Sequence, residues 1–332
     1  MSLPDSSGPG SGWASRRLLI AAAAAVLLAA GAAAALTATH SGARHPSAPA
    51  AHLAASTCSG PTGAAYVADA GWDGFTAINT ANCDIAQTYN VGDTFVPGDP
   101  GDQNYSSTDE AVALSGSTLY FADTGNDSVG VIDAATLDPS NYNPAETLIH
   151  VGFDPEDLAV TPDGSQLWVT DTGPQTNPFS PSGISIISTA TNTVTARIRL
   201  PAAPAQIAFS PSGATAYVTT TAGLAIFDTA THQLTGFVQG LGDPHGVVVS
   251  PDGSTVYVTS TYRNEVEIIN ASSDSVTGTV AVGQMPWQLV ISGNGSTIYV
   301  ADSDSDQISV INTGTDQEAA RSRWPAGPTR WL

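Results

Sequence analysis

Polar side chains that could bind a ligand recur in this sequence at one position, immediately before or within the start of an apolar run. Carboxylate oxygens there suit Ca²⁺ or Mg²⁺, whereas amide, imidazole and indole groups suit a hydroxyl-rich ligand. The same groups could instead only hydrogen-bond neighbouring strands and channel water, and the sequence leaves both interpretations open. The recurring pairs are Asp109-Glu110, Glu156-Asp157, Ala205-Gln206, His245-Gly246 and Trp287-Gln288.

Two narrower chemical roles follow from these residue types. Glu110, Glu156 and Asp157 are the candidate metal ligands, because they are hard oxygen donors. His245 is the one histidine at the recurring position, and with Glu156 or Asp157 it could form an acid/base pair. The sequence has no G-x-S-x-G elbow, no H-E-x-x-H motif and no lysine, so it favours a binding protein and leaves an enzyme as the alternative.

A repeat must place these residues, and it is visible at an aromatic residue followed by Val or Phe. The aromatic residues are separated by 54, 48, 49, 40 and 42 residues. This is the period of four-stranded propeller blades, the longer units carrying loop insertions. The six repeats contain Tyr66, Tyr120, Trp168, Tyr217, Tyr257 and Tyr299.

One repeat, residues 244–283, shows how each unit divides into strands. "GVVVS" is a continuous apolar run, which predicts an innermost strand buried on both faces. "PDG" predicts a turn, and "TVYVTS" and "EVEII" alternate as strands do. "SVTGTVAVG" completes the unit as an outer strand. We therefore predict an all-β propeller whose recurring polar residues converge where the inner strands enter a central channel.

These motifs resemble the YVTN-type β-propeller repeat of extracytoplasmic and surface-layer-associated proteins. The resemblance rests on the S-P-D-G turn, the Y-V-x-D strand and a following strand such as "VGVIDAATL" or "LAIFDTATH", and it covers roughly residues 64–317. It implies a propeller fold and a place outside the cytoplasm, but no particular ligand. The expected function is a cell-surface binding or interaction module. The alternative is a metal-dependent lactonase or lyase-like enzyme that uses the acidic rim.

The amino-terminal sequence predicts export. Residues 1–17 end in an arginine pair, and residues 18–36 form an uncharged, alanine-rich stretch. This stretch reads either as a cleaved signal peptide or as a helix that anchors the chain in the membrane. Either interpretation places the rest outside the cytoplasm, secreted or tethered. Residues 37–57 read as a disordered stalk.

The strongly negative net charge of the chain restricts the classes of molecule that it is expected to bind. The chain has 30 acidic residues against nine basic ones, a net charge of −21, and all but one of the acids lie between Cys58 and Ala319. Such a surface repels phosphate backbones, so we expect no nucleic-acid partner. The expected partners are a cell-surface protein, a glycan or a small polar ligand, and the membrane is contacted through the amino-terminal segment only.

We expect the propeller to span residues 58–318, and the sequence predicts a distinct feature at each of its two ends. Cys58 and Cys83 flank the first strand, and outside the cytoplasm such a pair favours a disulfide over a metal or redox site. Residues 319–332, "AARSRWPAGPTRWL", lack the alternation of an outer strand and read as an atypical tail. Six blades are visible in the sequence, and a truncated or frame-shifted carboxyl terminus would imply a seventh.

Overall fold

The computed structural model describes residues 64–68, 74–79, 85–90, 109–137, 147–173 and 182–323. These residues form β-strands and two 3₁₀ turns, Thr124–Asn126 and Ala134–Thr136. Within them, no helix is long and apolar enough to cross a membrane. The predicted amino-terminal helix at residues 18–36, the stalk and the Cys58–Cys83 disulfide lie outside the described residues.

The strands form six antiparallel sheets in chain order, one of three strands and five of four. Sheet I contains β1 (Ala64–Ala68), β2 (Gly74–Asn79) and β3 (Ile85–Asn90). Sheet II contains β4 (Asp109–Ser115), β5 (Thr118–Asp123), β6 (Ser128–Asp133) and β7 (Thr147–His150). Sheet III contains β8 (Pro155–Val160), β9 (Gln166–Asp171), β10 (Gly183–Ser188) and β11 (Thr193–Arg199).

The remaining three sheets follow the same pattern. Sheet IV contains β12 (Pro204–Phe209), β13 (Thr215–Thr220), β14 (Gly223–Asp228) and β15 (Gln233–Val238). Sheet V contains β16 (Pro244–Val249), β17 (Thr255–Ser260), β18 (Glu265–Asn270) and β19 (Ser275–Ala281). Sheet VI contains β20 (Pro286–Ile291), β21 (Thr297–Asp302), β22 (Gln307–Asn312) and β23 (Gln317–Arg323). The all-β class and the four-stranded repeat are thereby confirmed, with five complete four-stranded sheets.

The first strand of each four-stranded sheet is its inner strand. β4, β8, β12, β16 and β20 contact one another in that order, and β1 contacts β4. Each four-stranded sheet therefore turns its first strand toward a common axis, which is the arrangement of a propeller. The starts of the inner strands lie at one end of this axis, together with the loops that join each second strand to the third.

Apolar cores lie between successive sheets and explain why the sequence repeats. Sheets III and IV pack through a cluster in which Trp168, Ile186 and Phe227 are buried. Equivalent clusters join sheets I and II, II and III, IV and V, and V and VI. A single sheet cannot bury both of its faces, whereas fully burying one such side chain contributes about 1.5–3 kcal/mol. Stacking repeated sheets gives every middle sheet two covered faces.

In sheets II and III, the aromatic residue that marks the repeat reaches the outer turn of the next sheet. The Tyr120 hydroxyl of sheet II donates a hydrogen bond to Asn192 Oδ1 of sheet III at 2.8 Å. Trp168 contacts His232 of sheet IV edge-on, with ring centroids 5.6 Å apart. Asn192 and His232 both adopt a positive φ in their turns. The repeated aromatic residue is thus a contact between sheets, which accounts for its spacing.

The turns that follow the inner strands are stabilised by their own short side chains. In the turn after β8, Asp163 Oδ1 accepts hydrogen bonds from the Thr161 hydroxyl at 2.6 Å and from the Ser165 backbone N–H at 3.0 Å. These donors lower the pKa of Asp163 to about 2. Gly164 follows with a φ of 74°, a conformation that favours glycine. Every partner here lies within two residues in sequence.

At the carboxyl end, the predicted boundary at residue 318 is wrong. Gln317–Arg323 forms β23, which pairs with β22 and completes sheet VI. Arg321 donates to both carboxylate oxygens of Glu318, at 2.7 and 2.8 Å, on this exposed strand. An outer strand can tolerate such charged residues because one of its faces meets solvent. Residues 324–332 of the predicted tail lie outside the described residues.

Candidate functional site

Each inner strand carries a β-bulge at the position where the sequence placed the candidate residues. In β8, Pro155 pairs with Asp171 and Asp157 pairs with Thr170, so Glu156 is the extra residue. A bulge bends its strand and redirects side chains, and bulges are common next to binding sites. The same shift in register occurs in β4, β12, β16 and β20. The bulges therefore coincide with the candidate residues at the start of the inner strands.

The register corrects one sequence alignment. Asp109 pairs with Asp123 and so occupies the position of Pro155, which makes Glu110, not Asp109, the equivalent of Glu156. Alignment failed because β4 begins with Asp, whereas the other four inner strands begin with Pro. The side chains of Asp109 and Glu110 lie outside the described residues, so their ligand-binding and metal-binding roles stay predictions.

Threonine hydroxyls join the bulges of sheets III, IV and V to the next sheet, a feature that sequence analysis missed. The Gln206 backbone N–H, freed by the bulge, donates to Thr219 Oγ1 at 2.9 Å. The Thr219 hydroxyl in turn donates to the His245 carbonyl of sheet V at 2.5 Å. Each hydroxyl thus satisfies a bulge amide and fixes the position of the next bulge. Thr170 and Thr259 make the equivalent bonds, Thr170 to Asp157 N and Ala205 O, and Thr259 to Gly246 N and Trp287 O.

A signal for this relay was present in the repeat. The motif reads "LWVTD", "AYVTT" and "VYVTS" in sheets III, IV and V, but "LYFAD" and "IYVAD" in sheets II and VI. Ala122 and Ala301 replace the threonine in those two sheets and have no hydroxyl. The threonine relay therefore runs from sheet III to sheet VI, through the part of the ring that carries Glu156, His245 and Trp287.

Three side chains from three different sheets meet at the axis. His245 Nε2 lies 3.0 Å from Glu156 Oε1, and the two side chains are 10% and 22% exposed. The His245 ring also stacks on Trp287, with centroids 3.6 Å apart and planes tilted by 34°. Glu156 and His245 belong to sheets III and V, which are not neighbours, and the intervening sheet IV places Ala205 at the same bulge position. The small alanine leaves the path between them open.

We call this region the channel mouth and define it by the described bulge residues: Glu156, Asp157, Ala205, Gln206, His245, Gly246, Trp287 and Gln288.

The hydrogen bond to Glu156 indicates which nitrogen of the His245 ring carries a hydrogen atom. An ionised carboxylate only accepts hydrogen bonds, so Nε2 carries the hydrogen and donates. His245 is buried, and its Nδ1 has no hydrogen-bond partner among the described protein atoms. A buried polar atom left unpaired costs about 1–3 kcal/mol. Such an atom in a native site calls for a functional explanation.

Asp157 takes a different role from its neighbour Glu156. Its Oδ2 accepts a hydrogen bond from the Ile207 backbone N–H of sheet IV at 2.9 Å. Burial of the carboxyl group raises its pKa to about 7, against the lowering effect of the Ile207 and Leu158 N–H groups, and the nearby Glu156 charge raises it further. Asp157 therefore joins two inner strands and has one oxygen already occupied.

Two glutamines, Gln206 and Gln288, occupy the bulge position of Asp157 in sheets IV and VI. Gln206 and Gln288 are both half-buried, and no side-chain hydrogen bond ties either amide to another residue in the described part of the chain. Trp287 is also half-buried and stacks on the His245 ring. Each amide can donate and accept.

The structure brings together part of the predicted metal set. Asp157 and Glu156 are adjacent in β8, but one oxygen of each is engaged by a donor, the Ile207 N–H and the His245 ring. Within the residues whose side chains are described, no three His, Cys, Asp or Glu side chains cluster as a metal ion requires. The binding of Ca²⁺ or Mg²⁺ by Glu110, Glu156 and Asp157 stays a prediction.

The sheet order, the cores between sheets and the bulged inner strands define a repeat protein of the β-propeller-like class. The chain belongs to the choice-of-anchor I domain family, whose model matches residues 56–314. This membership supports a surface-associated propeller module, as the sequence predicted in general terms. The match does not confirm the narrower YVTN-type repeat, which stays a resemblance. A search of curated protein sequences found no match.

Solved structures share the fold at low sequence identity. Hydrazine synthase of Kuenenia stuttgartiensis superposes with a TM-score of 0.63 at 18% identity, over 76% of this chain and 81% of that one. A functionally unknown protein from Desulfotomaculum acetoxidans gives 0.60 at 18% identity, over 76% and 75%. Virginiamycin B lyase from Staphylococcus aureus gives 0.59 at 13% identity, over 80% and 81%. At these identities the similarity shows the fold alone.

Proposed function

We propose that this protein is a cell-surface binding module that holds its ligand at the channel mouth. The observation that carries the proposal is the cluster of Glu156, His245 and Trp287, three side chains from three sheets that are held together by a 3.0 Å hydrogen bond and a ring stack. Polar groups gathered from separate sheets around a partly exposed aromatic ring are typical of binding sites. The half-buried glutamines of the mouth supply further hydrogen-bonding groups.

The proposal includes the cellular setting that the sequence predicts. Residues 18–36 direct export, as a cleaved signal or a retained anchor, and the propeller lies outside the cytoplasm. Family membership supports a surface location. A disulfide between Cys58 and Cys83 would then close the first sheet to its preceding segment. Sheet I, with three strands described, would be the sixth blade of the ring, and its inner strand would come from elsewhere in the chain.

Binding of the purified full chain to cell envelopes tests the proposal. We expect saturable binding that Trp287→Ala weakens at least tenfold, because the substitution removes the aromatic surface of the mouth. The matched control is Trp168→Phe, which changes a tryptophan buried between sheets III and IV, far from solvent. Equal binding by wild type and Trp287→Ala, with both proteins folded, would contradict a site at the channel mouth.

The alternative function is a metal-dependent lactonase or lyase-like enzyme. The hydrogen bond between His245 and Glu156 is the observation that favours it, since a carboxylate that orients a histidine is a common acid/base arrangement. This alternative requires turnover of lactones that is abolished by a chelator and by His245→Ala. No turnover with any lactone would leave the binding module, whereas turnover that survives both treatments would contradict a mechanism that uses a metal and His245.

A further inference from the structure

Several hydrogen-bonding atoms at the channel mouth have no protein partner among the described residues, and their chemistry restricts the class of ligand that the site would bind. His245 Nδ1 is an acceptor without a described partner, and Glu156 keeps a second oxygen on a side chain that is 22% exposed. Both atoms call for hydrogen donors. Gln206 and Gln288 add N–H groups that call for acceptors. A ligand that suits all four must donate and accept within a short distance.

From this combination we propose that the ligand at the channel mouth is a neutral, hydroxyl-rich carbohydrate. This inference rests on the proposed binding function of the same site. A hydroxyl group donates one hydrogen bond and accepts others, so neighbouring hydroxyls of a sugar ring satisfy the carboxylate and the amides together. Trp287 is half-buried and stacks on the His245 ring, and the solvent-accessible part of its indole offers an apolar surface of the kind that packs on the carbon face of a sugar ring.

Anionic ligands fit poorly. Between Cys58 and Ala319 only Arg197, Arg199 and Arg263 oppose the acidic residues. Arg197 donates to Ser185 and to the His150 carbonyl, and Arg263 pairs with Glu267 at 2.9 Å. None of these contacts involves the channel mouth. A phosphate or carboxylate there would meet Glu156 and Asp157 without an arginine partner, and like charges repel.

Cations fit less well than hydroxyl groups for a different reason. A calcium ion takes six to eight oxygen ligands, but Glu156 and Asp157 each already give one oxygen to a protein donor. An organic ammonium group only donates hydrogen bonds. It would satisfy Glu156 and His245, yet it would offer nothing to the N–H groups of Gln206 and Gln288. The mixture of acceptors and donors therefore favours hydroxyl groups.

Calorimetry on the full chain tests this inference with three kinds of probe. They are short neutral oligosaccharides of glucose, galactose, mannose and N-acetylglucosamine, then calcium chloride, then spermidine. We expect one oligosaccharide series to bind. Gln206→Ala and Gln288→Ala should each weaken that binding about fivefold, the usual effect of losing one neutral hydrogen bond. Gln233→Ala is the matched control, because Gln233 lies exposed on the outer strand β15.

The outcomes separate this inference from the function on which it rests. If calcium or spermidine binds, the oligosaccharides do not, and Glu156→Gln removes the binding, the site is real and the carbohydrate assignment is wrong. If an oligosaccharide binds equally to wild type and to both glutamine variants, the assignment of carbohydrate to the channel mouth is wrong, and the envelope test with Trp287→Ala still decides the binding function. If no probe binds while the envelope binding depends on Trp287, the carbohydrate is excluded and the binding module remains. Melting curves of each variant establish that the proteins compared are folded.

Discussion

Two aspartates on the same repeat, Asp157 and Asp163, lie at opposite ends of one short strand and have opposite properties. Asp163 is exposed in a turn, and its hydrogen-bond donors lie within two residues and lower its pKa to about 2. Asp157 lies at the channel mouth, and burial raises its pKa to about 7. Its donor, the Ile207 N–H, is 50 residues away in another sheet. Asp163 is satisfied entirely by local donors, whereas Asp157 also needs a donor that only the assembly of neighbouring sheets supplies.

The contrast between Asp163 and Asp157 indicates two kinds of region. The turn end stabilises the fold, and the channel mouth is the region that we propose for binding. At the turn end, the Asp163 carboxylate finds its donors within two residues, in Thr161 and Ser165. At the channel mouth, the fold gathers groups from distant repeats and leaves some incompletely paired, such as His245 Nδ1. Native proteins commonly keep such costs at functional sites and offset them elsewhere. The following predictions test this division, from the largest expected effect on stability to the smallest.

Thr219→Val should give the largest loss of stability. Valine has nearly the shape of threonine but leaves the Gln206 N–H and the His245 carbonyl without their shared hydroxyl. Two unpaired buried groups predict a loss of about 2–4 kcal/mol in the free energy of unfolding. Urea denaturation measures it. Thr219→Ser keeps the hydroxyl and should lose much less; equal losses in the two variants would show that the methyl group, not the relay, matters.

Asp163→Ala should destabilise the turn end to a smaller degree. The substitution removes the acceptor for Thr161 and Ser165, while Asp163→Asn should keep most of these bonds. Sheet VI supports this expectation, because Asn294 accepts the same bonds from Ser292 and Ser296 in the equivalent turn. Thermal melting at neutral pH compares the two variants. A melting temperature for Asp163→Ala equal to that of Asp163→Asn would contradict local capping.

Asp157→Asn should change how stability depends on pH. A carboxyl whose pKa rises on folding to about 7 contributes stability that is complete below its unfolded pKa and is lost as the pH rises through 7. The asparagine variant lacks this loss, so its melting temperature relative to wild type should rise between pH 5 and pH 8. The measurement is made with a chelator present. Asp163→Asn is the control, because the lowered pKa of Asp163 makes its contribution to stability change only at acidic pH. If the melting temperatures of the two variants depended on pH in the same way, the proposed difference between Asp157 and Asp163 would be contradicted.

Glu156→Gln should have the smallest effect on stability. The amide oxygen can still accept the hydrogen bond from His245 Nε2, so we expect a change within about 0.5 kcal/mol. Chemical denaturation measures it, and His245→Ala, which removes the ring stacked on Trp287, should cost more. A large loss in Glu156→Gln would mean that the charge of Glu156 stabilises the ring, and the mouth would then belong to the structural part of the molecule.

The structural elements that could be predicted from the sequence are those determined by residues within a single repeat. Strand alternation, the S-P-D-G turn and the period of the aromatic residues are all read within one repeat, and the structure confirms the strands and their four-stranded sheets. The bulge position was also located, except in β4, where no proline marks the start and Asp109 was misaligned. The outer strand β23 escaped prediction because an exposed edge strand needs no apolar alternation.

The pairing at the channel mouth could not be predicted from sequence to the same degree. Pairing His245 with Glu156 rather than Asp157 depends on which bulge residue points along the axis, and the partners lie 89 residues apart. The stacking of His245 on Trp287 and the space left by Ala205 likewise arise only when three sheets are assembled. The threonine relay had a visible signal in "YVT" against "YVA", but its second partner belongs to the next repeat.

Nuclear magnetic resonance of the tryptophan indole N–H groups tests the central claim most directly. The full chain, with the Trp287 signal assigned from Trp287→Phe, is titrated with the neutral oligosaccharide that binds in calorimetry. We predict that the Trp287 signal shifts progressively to saturation while the signal of Trp168, buried between sheets III and IV, stays in place. A saturating titration that leaves the Trp287 signal unmoved would contradict a binding site at the channel mouth.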